Sequence, residues 1–225
     1  MKSSRLRRGG RHFDQTSEGD GRTMTADQAA TIFVVDDDPS IRFAMQALLE
    51  SVDLEHEIFS SGDEFLERVA KDRPGCLVLD IRMPGLGGLE LQDEMKSRGY
   101  TLPIIFVTGH GDVPMAVDAM QKGAVDFVQK PFRDQDLLDR VHKALDTDRE
   151  RRVEREQHDA IAERIDLLTN REREVFDLVV TGKPNKVIAY ELGVSQRTVE
   201  IHRARVMEKM EARSLADLVK MHLQQ

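Results

Sequence analysis

Apolar runs that each end at a polar or charged residue constrain the fold of this chain more than any other feature. Residues 76–79 lead directly into Asp80, and residues 31–35 lead into three consecutive aspartates. Short apolar runs of this kind are typical of strands that are buried on both faces of a parallel sheet. Two later runs follow the same pattern: residues 103–107 precede Thr108, and residues 125–128 are followed by Lys130.

The polar groups that follow these runs predict a ligand site. The carboxyl ends of parallel strands meet at one edge of a sheet, which is where open α/β sheets bind ligands. Each group alone has an ordinary explanation: an aspartate could cap a helix, Thr108 could end a strand, and Lys130 could be a solvated charge. Together they favour a site for Mg²⁺ and a phosphoryl group, because carboxylates suit the metal while a lysine and a hydroxyl bind phosphoryl oxygens. Clustered carboxylates repel one another, so we expect part of the stability to depend on a metal ion. The expected set is Asp36, Asp37, Asp80, Thr108 and Lys130.

Strand and helix signals alternate through residues 31–145. The strands are expected near residues 31–36, 56–59, 76–80, 103–108 and 125–128. The amphipathic stretches are residues 40–51, 62–72, 88–98, 113–122 and 134–146, with Asp112 as the cap of the fourth. Five βα units of this length predict a doubly wound α/β fold around a five-stranded parallel sheet.

Composition suits one large or two small domains in a reducing compartment. The chain has 225 residues, of which 40% are hydrophobic, and this is enough for one large or two small domains. The single cysteine, Cys76, excludes an internal disulfide, and its place in a strand predicts a small core residue. No stretch approaches the roughly 18 apolar residues of a membrane span. We therefore expect a cytoplasmic protein with no membrane partner.

Residues 1–30 form a segment of different character. They are rich in Gly, Ser, Thr, Asp and Arg, show no periodicity and lack the apolar stretch of a secretion signal. We expect this segment to be disordered. Met24 lies just ahead of the first strand, and we hypothesise that it is the true translation start, which intact-mass analysis of the native protein would test.

Residues 146–165 are mostly charged and contain neither Gly nor Pro. Charges of mixed sign at helical spacing predict a solvated helix that continues from residues 134–146. Large apolar side chains occur only at Val153, Ile161 and Ile165, which are too few for a long coiled coil. We interpret this segment as a semi-rigid helical linker.

Residues 166–225 predict an all-α domain of four helices. Thr169 and Glu172 form a capping box, and a short helix, a turn at Gly193 and a longer helix capped by Ser195 make a helix-turn-helix. The helices are expected at residues 169–180, 185–192, 195–210 and 215–223. The apolar face of the third helix is expected to pack on the first two, through Val199, Val206 and Met210 against Val175, Phe176, Ile188 and Leu192.

The opposite face of the third helix predicts contact with DNA. Ile201 and Ala204 are apolar or small on an outward face, which suits a major groove, where methyl contacts matter and bulk would clash. The alternative is a solvated face of mixed charge, and Glu208 fits that alternative best. Residues 166–225 are almost neutral, so one copy should bind DNA weakly and a dimer more tightly. We expect base contacts from Glu200, Ile201, Ala204 and Arg205, and phosphate contacts from Lys186, Arg197 and Thr198.

Four motifs within residues 31–145 carry a family resemblance: Val35-Asp36-Asp37, Leu79-Asp80-Ile81-Arg82-Met83-Pro84, Val107-Thr108-Gly109 and Lys130-Pro131-Phe132. They resemble the receiver domain of two-component response regulators, which has a flavodoxin-like fold. The resemblance implies that Asp80 accepts a phosphoryl group from a histidine kinase and that Thr108 and Lys130 bind its oxygens. It further implies that Phe127 is the switch aromatic, for which the alternative is an ordinary core residue, and that the Lys130–Pro131 bond is cis. The implied Mg²⁺ ligands are Asp36, Asp37, Asp80 and the backbone carbonyl of Arg82.

Residues 166–225 resemble the LuxR-type DNA-binding domain through the motifs at 168–175, 185–189 and 195–202. The order of the two domains resembles the FixJ/NarL family, and residues 108–117 resemble its FixJ branch. This resemblance implies a homodimer when phosphorylated, with receivers paired through residues 113–128 and output domains through residues 215–223. RNA polymerase is a further possible partner.

We therefore predict a transcription factor controlled by phosphorylation. The chain is expected to be a Mg²⁺-dependent phosphoryl acceptor with possible self-dephosphorylation, and not a metabolic enzyme. Two activation routes stay open, namely dimerisation of the receiver and release of a covered DNA-binding domain. One alternative is a receiver whose helical tail binds protein instead of DNA, and another is an enzyme with a regulatory receiver. The second is disfavoured because the helical segment shows no clustered catalytic set.

Overall fold

A computed structural model of the chain describes residues 29–109 and 113–224. The predicted disorder of the first 30 residues, the proposed start at Met24 and the predicted cap at Asp112 fall almost entirely outside these ranges. None of the helices in the described ranges combines the length and the apolar character that a membrane crossing requires.

Five parallel strands form one sheet in the first domain, as predicted. The strands are β1 (Thr31–Val35), β2 (His56–Phe59), β3 (Gly75–Asp80), β4 (Ile104–Thr108) and β5 (Asp126–Gln129), in the order β2-β1-β3-β4-β5. Every residue of the three central strands β1, β3 and β4 is buried, which explains their continuous apolar runs. The acidic ends of β1 and β3 and the hydroxyl end of β4 are therefore at the same edge of the sheet.

Helices cover both faces of this sheet. The first domain contains α1 (Pro39–Ser51), α2 (Gly62–Arg68), α3 (Gly88–Ser97), α4 (Val113–Gln121) and the start of α5 (Asp134–Asp166). One core includes Phe65, Leu91 and Ala119 of α2, α3 and α4, and the other includes Met45 of α1 and Val141 of α5. This three-layer arrangement of helices, sheet and helices confirms the predicted doubly wound fold.

Helix α2 is shorter than the sequence predicted. The expectation was residues 62–72, but the helix ends at Arg68. Val69 adopts an extended conformation (φ −100°, ψ 119°) and is 3% exposed. Its carbonyl accepts a hydrogen bond of 2.7 Å from the hydroxyl of Tyr100, which lies beyond α3. A tertiary contact therefore ends this helix, and sequence periodicity does not report such a contact.

Helix α5 is continuous over 33 residues and leads from the first domain into the second. The prediction of a helix that continues through residues 146–165 is confirmed. Its description as a plain solvated linker is incomplete, because Asp148 contacts the first domain and Ile161 and Ile165 are buried in the core of the second.

The second domain consists of four further helices around one core. These are α6 (Asn170–Val180), α7 (Asn185–Leu192), α8 (Gln196–Lys209) and α9 (Leu215–Leu223). The Thr169–Glu172 capping box and the Ser195 cap are present, and Gly193 ends α7 with φ 65°. The predicted packing is confirmed: Val175, Phe176, Ile188, Val199, Val206 and Met210 are buried together, with Leu192 packed against them.

Candidate functional site

Lys130 lies at the centre of the polar edge of the sheet. Its Nζ donates to Asp36 Oδ2 at 2.8 Å and to Asp80 Oδ1 at 3.0 Å. The backbone of Lys130 is held beside β4, because its N–H donates to the Thr108 carbonyl at 2.7 Å. The peptide bond from Lys130 to Pro131 is cis, as the resemblance implied. The structure therefore brings the ends of β1, β3 and β5 together through one cation.

Both oxygens of each of these two carboxylates have a hydrogen-bond donor. Asp36 Oδ1 accepts from the N–H of Asp38, and Asp80 Oδ2 accepts from the N–H of Arg82. Asp36 is 3% exposed and Asp80 is 8% exposed. The Asp80 side chain is therefore held in one orientation at the rim of the sheet, with limited contact with solvent.

Burial and ion pairing act against each other at this site. Burial raises the pKa of the Asp80 carboxyl, and the nearby Asp36 charge adds to the effect, while Lys130 opposes both. Burial would lower the pKa of Lys130, but its hydrogen bonds to Asp36 and Asp80 outweigh that effect and raise it. Because one lysine faces two carboxylates, these three groups carry a net negative charge when ionised, and the site can accept further positive charge.

Thr108 ends β4 and Phe127 lies in β5, as expected from the sequence. The Thr108 hydroxyl donates to the Gly109 carbonyl at 3.0 Å, and the residue is 3% exposed. Phe127 is 36% exposed, whereas the next residue, Val128, is 4% exposed. Its ring therefore lies at the surface beside α4, and the alternative of an ordinary core residue is wrong.

Asp37 is exposed and lies two residues beyond the end of β1. Within residues 29–109 and 113–224, no three His, Cys, Asp or Glu side chains lie close enough together to hold a metal ion by themselves. Mg²⁺ commonly uses only one or two protein carboxylates and keeps several waters. The Asp80 carboxylate at the end of β3, and the exposed Asp37 carboxylate in the loop that follows β1, are hard oxygen donors of the kind that such a partly hydrated ion uses. The expected repulsion among the carboxylates is lowered by Lys130, a compensation that the sequence prediction did not include.

Gly88 is a residue of this site that the sequence prediction missed. A Cβ on Gly88 would lie 2.3 Å from the Asp80 carbonyl oxygen, so any side chain would displace the backbone of the candidate acceptor. Its N–H also donates to the Ile81 carbonyl at 3.0 Å. The Gly87-Gly88 pair at the start of α3 is the sequence signal for this close approach.

The outward face of α8 is exposed as predicted. The apolar side chain of Ile201 is 46% exposed, an unusual position for an isoleucine in a small helical domain. The remaining predicted contacts lie around it: Arg197, Glu200, Ala204 and Arg205 of α8 and Lys186 of α7 are exposed, and Thr198 is half-buried. Glu208 is also exposed, at the far end of the same helix.

Polar contacts fix α8 within the second domain. Arg203 Nη1 donates to Asn185 Oδ1 at 3.2 Å, which ties α8 to the start of α7. Lys209 Nζ donates to Glu172 Oε2 at 2.6 Å and to the Leu167 carbonyl at 2.9 Å. The Lys209 hydrogen bond and the Thr169 N–H lower the pKa of Glu172 to about 2. The sequence identified Glu172 only as half of a capping box and did not indicate its ion pair with Lys209.

Comparisons with known proteins agree with this geometry. The family model "Response regulator receiver domain" matches residues 32–142, and "Bacterial regulatory proteins, luxR family" matches residues 166–222. The chain is 48% identical over 203 residues to Nodulation protein W of Bradyrhizobium diazoefficiens, covering 90% of this chain and 89% of that protein. It is 45% identical over 197 residues to the transcriptional regulatory protein FixJ of Azorhizobium caulinodans, covering 87% and 93%.

Solved structures show the same likeness. The response regulator StyR has 44% identity and a TM-score of 0.80, with coverage of 88% of this chain and 100% of StyR. Full-length FixJ from B. japonicum has 40% identity and a TM-score of 0.54, with coverage of 87% and 96%.

The fold and the two sites define a response regulator in which a receiver is joined to a DNA-binding output domain. The chain belongs to the FixJ/NarL family of response regulators, whose output domain is of the LuxR type. It is a transcription factor in which phosphorylation of the receiver controls the binding of DNA. The receiver implies a histidine kinase as one partner, and the output domain implies DNA as another.

Proposed function

We propose that Asp80 is the phosphoryl acceptor. The observation that carries this proposal is the approach of Lys130 Nζ to the carboxylates of Asp36 and Asp80 at the ligand-binding edge of the sheet. An Asp80 oxygen attacks the phosphorus of the kinase phosphohistidine, and a P–O bond forms as the P–N bond breaks. The leaving imidazole nitrogen keeps the electron pair. Lys130 is within reach of the new phosphoryl oxygens and binds them in place of the lost carboxylate charge.

Mg²⁺ is the proposed cofactor of this site. Asp37, Asp80 and the backbone carbonyl of Arg82 would hold it, and Asp36 would act beside them. When bound, Mg²⁺ spreads the charge that develops between the carboxylate and the phosphoryl group. The support is the donor set, which consists of hard oxygen atoms, together with the raised pKa of Asp80.

Thr108 and Phe127 are proposed as the moving parts of the switch. The Thr108 hydroxyl donates to the carbonyl of the next residue and can rotate from there towards a phosphoryl oxygen. That movement would open space next to β4, into which the exposed Phe127 ring could turn. Such a two-state change lets phosphorylation shift an existing equilibrium.

Dimerisation is the proposed output of the switch. The α4–β5 face carries exposed apolar side chains at Val117 (49% exposed), Met120 (39%) and Phe127 (36%), which would be covered in a dimer. The output domains would pair through α9, where Leu223 is 78% exposed. Release of a covered output domain is the second candidate route.

The outward face of α8 is proposed to enter the major groove of promoter DNA. Exposed Ile201 and Ala204 would contact bases together with Glu200 and Arg205. Phosphate contacts would come from Lys186, Arg197 and Thr198. A dimer would read a two-fold site and would double the number of phosphates that are neutralised.

The remaining proposals concern partners and turnover. RNA polymerase is a candidate partner of the DNA-bound form, and the cytoplasm is the proposed location because the DNA target lies there. Loss of the phosphoryl group by attack of water on the Asp80 acyl phosphate is proposed as self-dephosphorylation.

The experiment that tests this function measures the mass of the protein in solution by light scattering, with Mg²⁺, before and after acetyl phosphate is added. Intact-mass spectrometry of the same sample measures phosphorylation. We expect a monomer to become a dimer, and an Asp80→Asn variant to stay unphosphorylated and monomeric. Phosphorylation without a change in mass would instead support release of a covered output domain. Undiminished phosphorylation of Asp80→Asn would overturn the assignment of the acceptor.

A further inference from the structure

A buried ion pair attaches the linker part of α5 to the receiver. Asp148 is 3% exposed, and its Oδ2 accepts from the N–H of Gly75 at 2.9 Å and from Arg152 Nε at 2.7 Å. Arg152 Nη1 also donates to the Asp72 carbonyl at 2.9 Å, and Nη2 donates to the Arg73 carbonyl. A buried carboxylate persists only when it is paired and hydrogen-bonded, and this one is both. We call this set of contacts the receiver clamp.

The receiver clamp is built around a glycine that admits no side chain. Gly75 has φ 143°, and a Cβ there would lie 1.8 Å from the Thr31 carbonyl oxygen. Gly75 begins β3, while Asp80 ends it, so the receiver clamp and the candidate acceptor are at opposite ends of one strand. The helix is therefore fixed to the rigid centre of the sheet.

A second attachment lies further along the same helix. Ile161 and Ile165 are each 5% exposed and belong to the core of the output domain. Arg164 Nη2 contacts Glu211 Oε2 at 2.7 Å, next to this core. The last turn of α5 is thus part of the output domain, and we call Ile161 and Ile165 the output anchor.

The stretch between the two attachments touches neither core. Residues 153–159 are all exposed, and a groove of about 560 Å³ separates Arg151, Glu154, Arg155 and His158 of the helix from the receiver. This stretch contains no Gly or Pro, and the helix runs through it without a break. It is a single helical connection between two docked ends.

Helix geometry places the two attachments on different faces. The midpoint between Ile161 and Ile165 lies 13 residues beyond the midpoint between Asp148 and Arg152, which at 3.6 residues per turn is about 3.6 turns and about 20 Å. The receiver clamp and the output anchor therefore point about 140° apart around the helix axis. Any change in the number of residues between them rotates one domain about the other, by about 100° for each residue.

We propose that α5 is a phase-setting rod: the receiver clamp and the output anchor fix its rotation on each domain, and the number of residues between them sets the orientation of the output domain. A dimer of receivers can place two α8 helices on one two-fold DNA site only if both output domains keep that orientation. This inference rests on the proposed function for its DNA readout, but its structural basis can be measured separately.

The first experiment measures the distance between the domains. Nitroxide labels are placed on the full chain at Glu67→Cys and Lys220→Cys, which are exposed positions, while native Cys76 is 0% exposed and should not react. We expect one narrow distance distribution by pulsed electron resonance. The double variant Asp148→Asn and Arg152→Met keeps an acceptor for Gly75 and leaves no unpaired charge. It should broaden the distribution.

The matched control for the distance measurement is Arg149→Met. It removes an arginine that is 78% exposed and lies about one turn before Arg152, and it should leave the distance distribution narrow. A broad distance distribution in the parent protein, or an unchanged distribution in the double variant, would overturn the proposal that α5 holds the two domains in a fixed orientation. This outcome does not depend on whether the protein binds DNA or is phosphorylated at Asp80.

The second experiment changes the phase of the helix between exposed Glu156 and Gln157. Insertion of one alanine rotates the output domain by about 100°, whereas insertion of seven helix-forming residues restores the phase to within about 20° and adds about 10 Å. DNA binding is measured with and without acetyl phosphate on a duplex selected from a random pool by the phosphorylated parent. Phosphorylation is expected to raise the affinity of the parent protein for this duplex by about 5- to 150-fold, the usual range for coupling between two sites.

We expect the one-residue insertion to lose the phosphorylation-dependent gain and the seven-residue insertion to keep most of it. If phosphorylation raised DNA affinity equally in both variants, α5 would act as a flexible linker. That result would overturn the proposal that the number of residues between the two attachments matters. Intact mass confirms phosphorylation of every variant. A parent protein that fails to bind DNA or to become phosphorylated would contradict the proposed function, while the distance measurement would still decide whether the rod exists.

Discussion

The Lys130 ammonium lies 3.0 Å from the Asp80 carboxylate and 2.8 Å from the Asp36 carboxylate, so one cation pairs with two buried acids at the ends of different strands. The side chain of Lys130 is itself only 24% exposed. The same group therefore stabilises the resting receiver and stands where a phosphoryl group would need a positive charge.

Substitution of this lysine should destabilise the receiver. Lys130→Met leaves Asp36 and Asp80 facing each other without a cation, and breaking a buried pair costs about 3 kcal/mol. We expect a loss of that order in the free energy of unfolding at pH 7, measured by urea denaturation. The loss should shrink as the pH falls through the carboxyl range, because protonation removes the repulsion.

The matched control is Lys122→Met, which removes a surface lysine, 33% exposed, that pairs with the exposed Asp93 and with Asp118. Exposed pairs contribute at most about 1 kcal/mol. Addition of Mg²⁺ should recover part of the stability of Lys130→Met and little of the stability of the control. Equal losses in the two variants would contradict the compensating role of Lys130.

Asp37 and Asp38 are neighbours, but their substitution by asparagine should have very different effects on Mg²⁺ binding. Asp38 Oδ1 accepts from the Ser40 N–H as the cap of α1, and this bond lowers the pKa of Asp38. Asparagine caps a helix as well as aspartate does, so Asp38→Asn should leave Mg²⁺ binding and stability almost unchanged. Asp37→Asn should weaken Mg²⁺ binding and slow phosphorylation by about tenfold or more. Titration calorimetry with Mg²⁺ measures the difference, and equal affinities would remove Asp37 from the metal site.

The stability of the output domain should depend on pH through Glu172. Its folded pKa of about 2 lies below the ordinary value of 4.5, so its contribution is fully present above pH 4.5 and is lost as the pH falls towards 2. A shift of this size corresponds to roughly 3 kcal/mol at most. Glu172→Gln keeps an acceptor for the Thr169 N–H but loses the charge that pairs with Lys209.

We expect Glu172→Gln to be less stable than the parent at pH 6, with the difference shrinking towards pH 3. Urea unfolding followed by the amide signals of α6 measures it in the full chain. Glu174→Gln is the control, since Glu174 pairs with Arg171 at the surface and should matter by less than about 1 kcal/mol. A difference between parent and Glu172→Gln that is constant over this pH range would rule out the ion pair as its source.

Base contacts and phosphate contacts should be distinguishable by how DNA affinity depends on salt concentration. Arg205→Ala should lower discrimination between the selected duplex and an unrelated one by about 1–3 kcal/mol, because it removes a base contact. Lys186→Ala should weaken binding to both duplexes and lower the salt slope by about 1, because it removes a phosphate contact. Glu208→Ala is the control at the far end of α8. Fluorescence anisotropy at several salt concentrations checks all three, and unchanged binding in the first two variants would exclude this face as the DNA interface.

The sequence determined most of the architecture, because apolar periodicity follows directly from burial. The runs that end at Asp36, Asp80 and Thr108 predicted three central strands and the edge at which their polar groups meet. The caps at Thr169 and Ser195 placed the starts of two output helices. Exposure of Ile201 also followed from helical periodicity alone.

Only the tertiary structure decided which distant groups meet. The sequence did not indicate that Lys130 bonds to Asp36 and Asp80 at once, or that the Tyr100 hydroxyl bonds to the Val69 carbonyl where α2 ends. It predicted a solvated helical linker over residues 146–165, but not that this helix is docked at both ends, through Asp148 and Ile161. Periodicity reports which face of an element is buried, but a contact between elements depends on their packing, and packing is set by the whole fold.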